Sequence, residues 1–367
     1  MTNKRIGIVF PGYGQQFIGM GKDLYDELRI VQELFEQAAG TAEINFVKLL
    51  FASSDEEISS IRYAYLAIYL FETSLYQVLT ERGLKPDFVA GYGIGEYAAS
   101  FATRSLSFVD GLYILNKYAQ FYSEFIKEKP YTCLRIVREF ELEMIEALCK
   151  EKSTETKKAY VSAQNTEQAF YIAGHQEVIE KIQEYCIQEV IRKVRIIGPE
   201  YGMNSTLVDE IFEQLKLYYH KIKFGPLQIP MITNVDGVYV TTPSSLESAM
   251  MRKVNNRIQW HEVIKGFEGC DIVVSVGPGE QLIEWFKEVY PDKEYYKIST
   301  LKEIENLFKN LQQEEVAEEN IPSKEQIKKD EEVSKSQEES VKAKDLYESD
   351  MVNEKPTDFD DEDEDEK

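Results

Sequence analysis

The chain of 367 residues is poor in the side chains that most often carry catalysis or hold metals. It contains three histidines, His175, His220 and His261, and four cysteines. No two cysteines form a Cys-x-x-Cys pair, and no histidine stands close enough in sequence to complete a zinc motif. These counts argue against a disulfide framework or a metal site, and we expect no metal and no cofactor.

Long apolar runs and clusters of basic residues are also missing. The most apolar helical pattern, residues 65–79, is interrupted by Glu72 and falls short of the ~20 apolar residues of a membrane span. The start of the chain, "MTNKRIGIVFPG", has no signal-peptide pattern. No Lys/Arg cluster is available for phosphate contacts along a nucleic acid. We therefore expect a cytoplasmic protein that binds neither membranes nor nucleic acid.

Acidic residues are abundant and unevenly distributed. The net charge is −23, and the segment from Glu314 to the end holds 22 acidic against 8 basic residues, a net of −14. Such a composition cannot bury enough apolar surface to order itself, so residues 313–367 are predicted to be a disordered acidic tail. The tail is either a partner-binding element or a solubilising one, and the sequence leaves both open.

The rest of the chain predicts an α/β fold. Strands at 5–10 and 87–90 alternate with helices at 23–39, 64–83 and 107–128. This alternation predicts a larger domain with a mainly parallel sheet covered on both faces. The domain is discontinuous, comprising residues 1–130 and 199–312.

Residues 131–198 are predicted to form a separate small domain inserted into the larger one. Their apolar patterns give the order β-α-β-β-α-β, which is typical of ferredoxin-like domains. The predicted strands are 132–138, 159–165, 169–174 and 193–198, and the predicted helices are 141–151 and 176–186.

The stretch "DFVAGYGIGEYAAS", residues 87–100, reads as a strand, a tight glycine turn and the start of a helix. This is the layout of a nucleophile elbow, Gly-x-Ser-x-Gly, in which the central residue projects at the top of a sheet. The outer glycines, Gly91 and Gly95, are in place. The central position holds Gly93, which has neither hydroxyl nor thiol.

Several motifs in colinear order resemble the malonyl-CoA:acyl carrier protein transacylases and the acyltransferase domains of fatty-acid and polyketide synthases. They are "IVFPGYGQQFIGMGKDLY", "PDFVAGYGIGEYAA", "SFVDGLYILNKYAQF", the segment from "ITNVDGVYV" to "RIQWHEVI", and "VVSVGPGEQL". The resemblance covers about residues 5–310. It implies a hydrolase-like domain with a ferredoxin-like insert. It also implies transfer of malonyl from coenzyme A to acyl carrier protein through a serine ester, with a histidine base.

The resemblance assigns the catalytic positions to residues that cannot do this chemistry. The nucleophile position is Gly93, and the base position, in "GPEYGMNS", is Tyr201. A phenol ordinarily ionises only near pH ~10 and is a poor general base at neutral pH. The arginine that would bind the malonyl carboxylate corresponds to Lys117, which keeps the charge without the two-pronged geometry.

Five further positions are expected at the substrate site by the same resemblance. Tyr13 replaces a glutamine near the oxyanion, and Gln16 is retained. Tyr92 replaces the histidine before the nucleophile, and Ile94 keeps the backbone donor that follows it. Gln259 stands where a glutamine orients the catalytic histidine.

Other residues could in principle replace the nucleophile. Ser100 is expected to pack within the elbow helix, and Ser205 lies near the lost base. The cysteines are expected to be small core side chains.

Three hypotheses follow. The first is a catalytically impaired or inactive homologue that binds an acyl-CoA, a carrier protein or another synthase subunit. The second is an active [acyl-carrier-protein] S-malonyltransferase that uses non-standard catalytic groups. The third is a structural or regulatory subunit that works through its acidic tail.

Overall fold

The computed structural model describes residues 4–137, 141–189 and 193–319. Residues 3–308 form one compact unit that contains both sheets. The strands of the described residues are β1 (Ile6–Phe10), β2 (Phe88–Gly91), β3 (Tyr131–Val137), β4 (Ala159–Gln164), β5 (Ala169–His175), β6 (Val194–Ile196), β7 (Met231–Ile232), β8 (Tyr239–Val240), β9 (Ile258–Gln259), β10 (Ile272–Val276) and β11 (Glu294–Ile298).

The helices surround these strands in sequence order, and two short 3₁₀ turns occupy Pro199–Tyr201 and Thr206–Val208. The helices are α1 (Lys22–Glu27), α2 (Arg29–Ala42), α3 (Phe46–Ala52), α4 (Asp55–Ser59), α5 (Ile61–Glu81), α6 (Gly95–Ala102), α7 (Phe108–Glu128), α8 (Leu142–Lys152), α9 (Gln176–Gln188), α10 (Asp209–Tyr219), α11 (Pro243–Arg252), α12 (Trp260–Lys265), α13 (Gln281–Val289) and α14 (Leu301–Glu319). In the described part of the chain, no helix is long and apolar enough to cross a membrane.

The larger sheet has the strand order β11-β10-β1-β2-β7-β8. All neighbouring strands are parallel except β8, which pairs antiparallel with β7 at one edge. Every residue of β1, β2 and β10 is buried. Burial along whole strands is what continuous apolar runs produce when helices cover both faces of a parallel sheet. The prediction of an α/β fold with a mainly parallel sheet is therefore confirmed.

The second sheet has the order β6-β3-β5-β4-β9. Its elements β3-α8-β4-β5-α9-β6 follow the order predicted for residues 131–198. The sheet is not confined to that segment, however, because β9 pairs in parallel with β4. A strand of only two residues has no sequence pattern of its own, so the prediction missed this extension.

Side chains alternate across the second sheet, as strand geometry requires. Leu134 and Ile136 pack into a cluster with residues of α8 and α9. Cys133 and Arg135 of the same strand therefore face the opposite side of the sheet. This second face is the one that borders the cleft described below.

Two predicted boundaries need correction. The helix predicted at 23–39 is interrupted at Leu28, whose extended backbone (φ −120°, ψ 114°) separates α1 from α2. Apolar periodicity does not register a break of one residue. The tail predicted to be disordered from residue 313 is helical as far as Glu319, the end of α14. Its remainder, residues 320–367, lies outside the described residues.

Glu72 of α5 is an acid inside the core. It is 1% exposed, and neither carboxyl oxygen has a hydrogen-bond partner among the described residues. Burial raises the pKa of this carboxyl well above its usual 4.5. The proton is therefore held in the folded state after the unfolded chain has released it, so the native state loses stability as pH rises above about 4.5.

We expect Glu72→Gln to stabilise the protein at neutral pH, since the amide cannot ionise. Relative to wild type, its free energy of unfolding should rise by about 1.4 kcal/mol per pH unit above pH ~5, until the native carboxyl also ionises. Urea unfolding at pH 4, 6 and 8 measures this. A difference independent of pH would show that Glu72 is not held protonated.

Candidate functional site

The turn between β2 and α6 has the geometry of a nucleophile elbow. Gly93, its central residue, has a left-handed backbone with φ +55°. An ideal Cβ placed on Gly93 would have one neighbour within 4 Å, Ile258 Cδ1 at 3.9 Å. The backbone therefore projects this position into open space, where a side chain would meet little of the surrounding protein.

The two flanking glycines are required by close contacts. A Cβ on Gly91 would lie 2.2 Å from the carbonyl carbon of Gly95, and a Cβ on Gly95 would lie 2.2 Å from Pro11 O. Real Cβ atoms do not approach so closely, so both positions exclude every other residue. The spacing that predicted an elbow thus reflects a real steric constraint.

Asn234, which follows β7, holds the elbow by three hydrogen bonds. Its Oδ1 accepts from the Gly93 N–H at 3.1 Å, and its Nδ2 donates to Gly91 O. Its own backbone N–H donates to Glu96 Oε1 at 2.7 Å. Asn234 is fully buried, so these bonds are shielded from water and fix the turn to the sheet.

A buried ion pair lies beneath the turn. Lys253, just after α11, is 4% exposed, and its Nζ donates to Gly93 O at 2.8 Å. The same Nζ lies 3.4 Å from Glu96 Oε2 and 4.2 Å from the centre of the Tyr97 ring. Burial lowers the pKa of Lys253 to about 8, although the Glu96 carboxylate opposes this shift. The sequence reasoning missed Lys253; its one signal was a lysine within the largely apolar "AMMRKV".

The elbow opens into a cleft of about 350 Å³. The cleft is bounded by the loop after β1, by α5, α7 and α13, and by the open face of the second sheet. Its walls are unusually aromatic, with six tyrosines and one tryptophan: Tyr13, Tyr65, Tyr92, Tyr118, Tyr171, Tyr201 and Trp285. None of the described residues that line it is a serine, threonine, cysteine or histidine.

Tyr201, which the sequence analysis placed at the base position, lines this cleft. Its ring packs against the loop after β1: a Cβ on Gly14 would lie 2.7 Å from Tyr201 Cε1, and the Tyr13 ring is 5.4 Å away, edge to face. Tyr201 and Gly93 therefore share one cavity. The structure thus brings together the two residues that the sequence analysis assigned to the nucleophile and base positions.

Tyr92 and Tyr13 also line the cleft, but each hydroxyl donates a hydrogen bond to another residue of the protein. The Tyr92 hydroxyl donates to Asn165 Oδ1 at 2.8 Å, and the Tyr13 hydroxyl donates to Ser59 O at 2.7 Å. Burial raises the pKa of both phenols. Both phenols therefore stay protonated and uncharged at neutral pH, and they form part of the cleft surface. Ile94, at the N-terminal end of α6, lines the cleft beside them.

Three predicted binding residues are not among the residues lining the cleft. Lys117 points elsewhere, with its Nζ 5.5 Å from the Tyr218 ring, and the next residue, Tyr118, lines the cavity instead. Successive side chains on a helix diverge by about 100°, so an alignment shifted by one position assigns a residue that points away from the cleft. Gln16 Oε1 accepts from the Gly14 N–H at 2.8 Å. Gln259 Nε2 donates to Val235 O.

The alternative nucleophiles and bases lie outside the cleft lining. Ser100 is fully buried and donates to Glu96 O at 2.7 Å, and Ser205 donates to Met203 O at 2.9 Å. The four cysteines are buried, and burial raises the pKa of the Cys149 thiol to about 12 and that of Cys270 to about 11. The described residues contain no group of three or more His, Cys, Asp or Glu that could hold a metal ion.

Comparisons with known proteins identify a family and several relatives. Residues 8–326 match the acyl transferase domain model. The chain is 25% identical over 312 residues to a malonyl CoA-acyl carrier protein transacylase of Bacillus subtilis, covering 84% of this chain and 98% of the relative. It is 23% identical to a protein of the same name from Staphylococcus aureus, covering 83% and 99%.

Solved structures share the fold. A malonyl CoA-acyl carrier protein transacylase from Clostridium perfringens superimposes with a TM-score of 0.79 at 22% identity, covering 86% of this chain and 100% of that one. A malonyl-transacylase solved in complex with its type II polyketide synthase acyl carrier protein also gives 0.79, at 21% identity, covering 83% and 99%.

Proposed function

Because the chain belongs to the acyl transferase domain family, we propose that its cleft binds a thioester of coenzyme A or of an acyl carrier protein without transferring the acyl group. One observation carries this proposal: no described residue lining the cleft offers a hydroxyl of serine or threonine, a thiol or an imidazole. Covalent acyl transfer in this family type needs an activated nucleophile and its base. Both positions here hold residues that supply neither.

The preserved geometry of the elbow supports binding of a ligand without acyl transfer. The elbow keeps its left-handed turn, its two obligatory glycines and its buried Asn234 and Lys253 supports. The cleft above it stays open. A fold that retains a conformationally strained turn and an open cavity, and lacks the reacting groups, is suited to binding the ligand without reacting with it.

We also assign the inserted β3–β6 segment to the ferredoxin-like class, because its elements follow the order β-α-β-β-α-β.

A labelled transfer assay tests this function. Wild-type protein is incubated with malonyl-CoA labelled in the malonyl group, with and without holo acyl carrier protein. We expect no label in acid-precipitated protein and no carrier labelling above the rate without protein. An acid-stable labelled chain would contradict the proposal. An active family member run in parallel shows that the carrier and substrate are competent.

The second candidate, an active transferase, is supported by one observation: the carboxylate of Glu200 lines the cleft. In direct transfer the carrier thiol would give its proton to Glu200 while its sulfur attacked the thioester carbonyl. The coenzyme A thiolate would then leave and take up that proton. The same assay separates this function, because label would reach the carrier without appearing on the chain, and Glu200→Gln would stop it.

The third candidate, a regulatory subunit working through its acidic tail, concerns residues outside the described part of the chain. A chain ending at Glu319 keeps α14 intact and removes the rest of the tail. Capture of a holo carrier protein that is unchanged by this truncation would remove the tail from the binding function.

A further inference from the structure

The open face of the second sheet carries two arginines that line the cleft, Arg135 of β3 and Arg195 of β6. They are directly paired across adjacent antiparallel strands. Like charges placed directly opposite on neighbouring strands repel one another and destabilise the sheet. Arg195 is exposed to solvent and Arg135 is partly buried, and a negative charge between them or beside them would relieve this repulsion.

The described residues do not supply that charge. No carboxylate among them lies within 4.0 Å of either guanidinium, whereas Arg257 pairs with Glu146 and Arg252 with Asp236. The Nε of Arg135 is buried and has no hydrogen-bond partner in the described part of the chain. Glu200, which lines the same cleft, acts instead on Tyr13, where its charge helps to raise the phenol pKa.

The positive charges of the two arginines influence the ionisation of Tyr171, which also lines the cleft. Burial raises the pKa of Tyr171, the β5 neighbour of Arg135, to about 12, while the charges of Arg135 and Arg195 oppose that rise. An anion placed among these side chains would meet two guanidinium groups, each able to donate two parallel hydrogen bonds.

The spacing of the strands in the second sheet gives the distance between the two arginines and the elbow. A cross-strand row of paired residues runs Ile258, Ala163, Tyr171, Arg135 and Arg195. Ile258 is the residue that a Cβ on Gly93 would touch. With neighbouring strands about 4.8 Å apart, Arg135 stands about 14 Å from Ile258 along the row, and Arg195 about 19 Å.

The distance between the elbow and the two arginines indicates which anion of a thioester ligand could reach them. The free carboxylate of a malonyl group lies within a few bonds of the thioester carbonyl, too close to the elbow to reach these arginines. The pantetheine arm places a phosphate about 13 bonds from its sulfur, which is about 15 Å when extended. We infer that Arg135 and Arg195 bind the phosphate at the far end of a pantetheine arm whose thioester lies at Gly93.

This inference rests on the proposed function, because it takes the ligand to be a pantetheine thioester. Coenzyme A and the prosthetic group of a holo carrier protein present the same phosphate at the same distance from sulfur. Arg135 and Arg195 were not identified by the sequence reasoning, which treated "TCLRIVR" and "KVRIIG" only as strands.

The test uses two ligands that differ by the phosphate alone, pantetheine and 4′-phosphopantetheine. For the full-length wild-type chain, calorimetry should give a Kd for phosphopantetheine at least about tenfold lower, since charge-assisted hydrogen bonds are among the strongest. In Arg135→Gln/Arg195→Gln that preference should disappear, while pantetheine binds as it does to wild type. The matched control is Arg29→Gln/Arg82→Gln, which removes two exposed arginines and should keep the preference.

The outcomes separate the two proposals. Equal wild-type affinities for the two ligands would overturn the phosphate site and leave the proposed function standing. Failure of wild type to bind pantetheine, phosphopantetheine, coenzyme A and holo carrier protein would overturn both. Titrating coenzyme A and holo carrier protein against wild type and the double variant identifies the source of the phosphate, because each ligand whose phosphate occupies this site should lose affinity by tenfold or more. Unchanged urea unfolding of the variant excludes misfolding as the cause.

Discussion

Gly93→Ser/Tyr201→His is expected to form a malonyl ester that wild type does not form. The elbow already presents position 93 to the cleft, with nothing nearer than Ile258 Cδ1 at 3.9 Å to obstruct a Cβ. Position 201 lines the same cavity. Placing a serine in the left-handed turn costs about 1–2 kcal/mol, an amount that the packed turn can absorb.

Both substitutions should be needed. A positioned general base contributes about 10²- to 10⁴-fold, so Gly93→Ser alone should acylate slower than the pair by about that factor. Intact-mass measurement after mixing with malonyl-CoA follows the ester. The control Gly93→Ala/Tyr201→His carries the same backbone strain without a hydroxyl and should stay unmodified. If the serine-containing pair also stayed unmodified, the idea that only the reacting groups are missing would be wrong.

Lys253→Met is expected to destabilise the fold by about 3–5 kcal/mol. The substitution leaves the buried Glu96 carboxylate without its cation, and breaking one side of a buried pair has this cost. It also removes the hydrogen bond from Nζ to Gly93 O, so the elbow should loosen. Urea unfolding at pH 7 measures the loss.

The double variant Lys253→Met/Glu96→Gln isolates the cause. Because it removes both charges, most of the lost stability should return. The surface variant Lys265→Met, which breaks an exposed pair with Glu262, should stay within about 0.5 kcal/mol of wild type. If Lys253→Met were as mild as Lys265→Met, the buried pair would not be what supports the elbow.

The elbow could be predicted from the sequence because glycine at Gly91, Gly93 and Gly95 follows from local geometry. Two of these positions exclude a Cβ, and the third has a left-handed backbone. The constraint on Gly91 comes from Gly95, four residues away, and the left-handed turn at Gly93 is local, whereas the constraint on Gly95 comes from Pro11 O in the loop after β1. The regular spacing of the three glycines is nevertheless visible in the sequence itself.

The charges of the cleft could not be predicted in the same way. Lys253 meets Glu96 across 157 residues, and Arg135 meets Arg195 only through strand register. No pattern within a short window encodes either pairing. Lys117 lies outside the cleft lining for a related reason. Its helix was predicted correctly, but the rotation of that helix is fixed by tertiary packing, which turns Tyr118 into the cleft.

We propose that the cleft binds a thioester and leaves it chemically unchanged. Equilibrium dialysis of the wild-type chain against malonyl-CoA, with the thioester quantified on both sides afterwards, tests this most directly. We expect saturable retention with all of the ligand recovered as intact malonyl-CoA. Release of free coenzyme A in proportion to protein, or no retention at all, would contradict it.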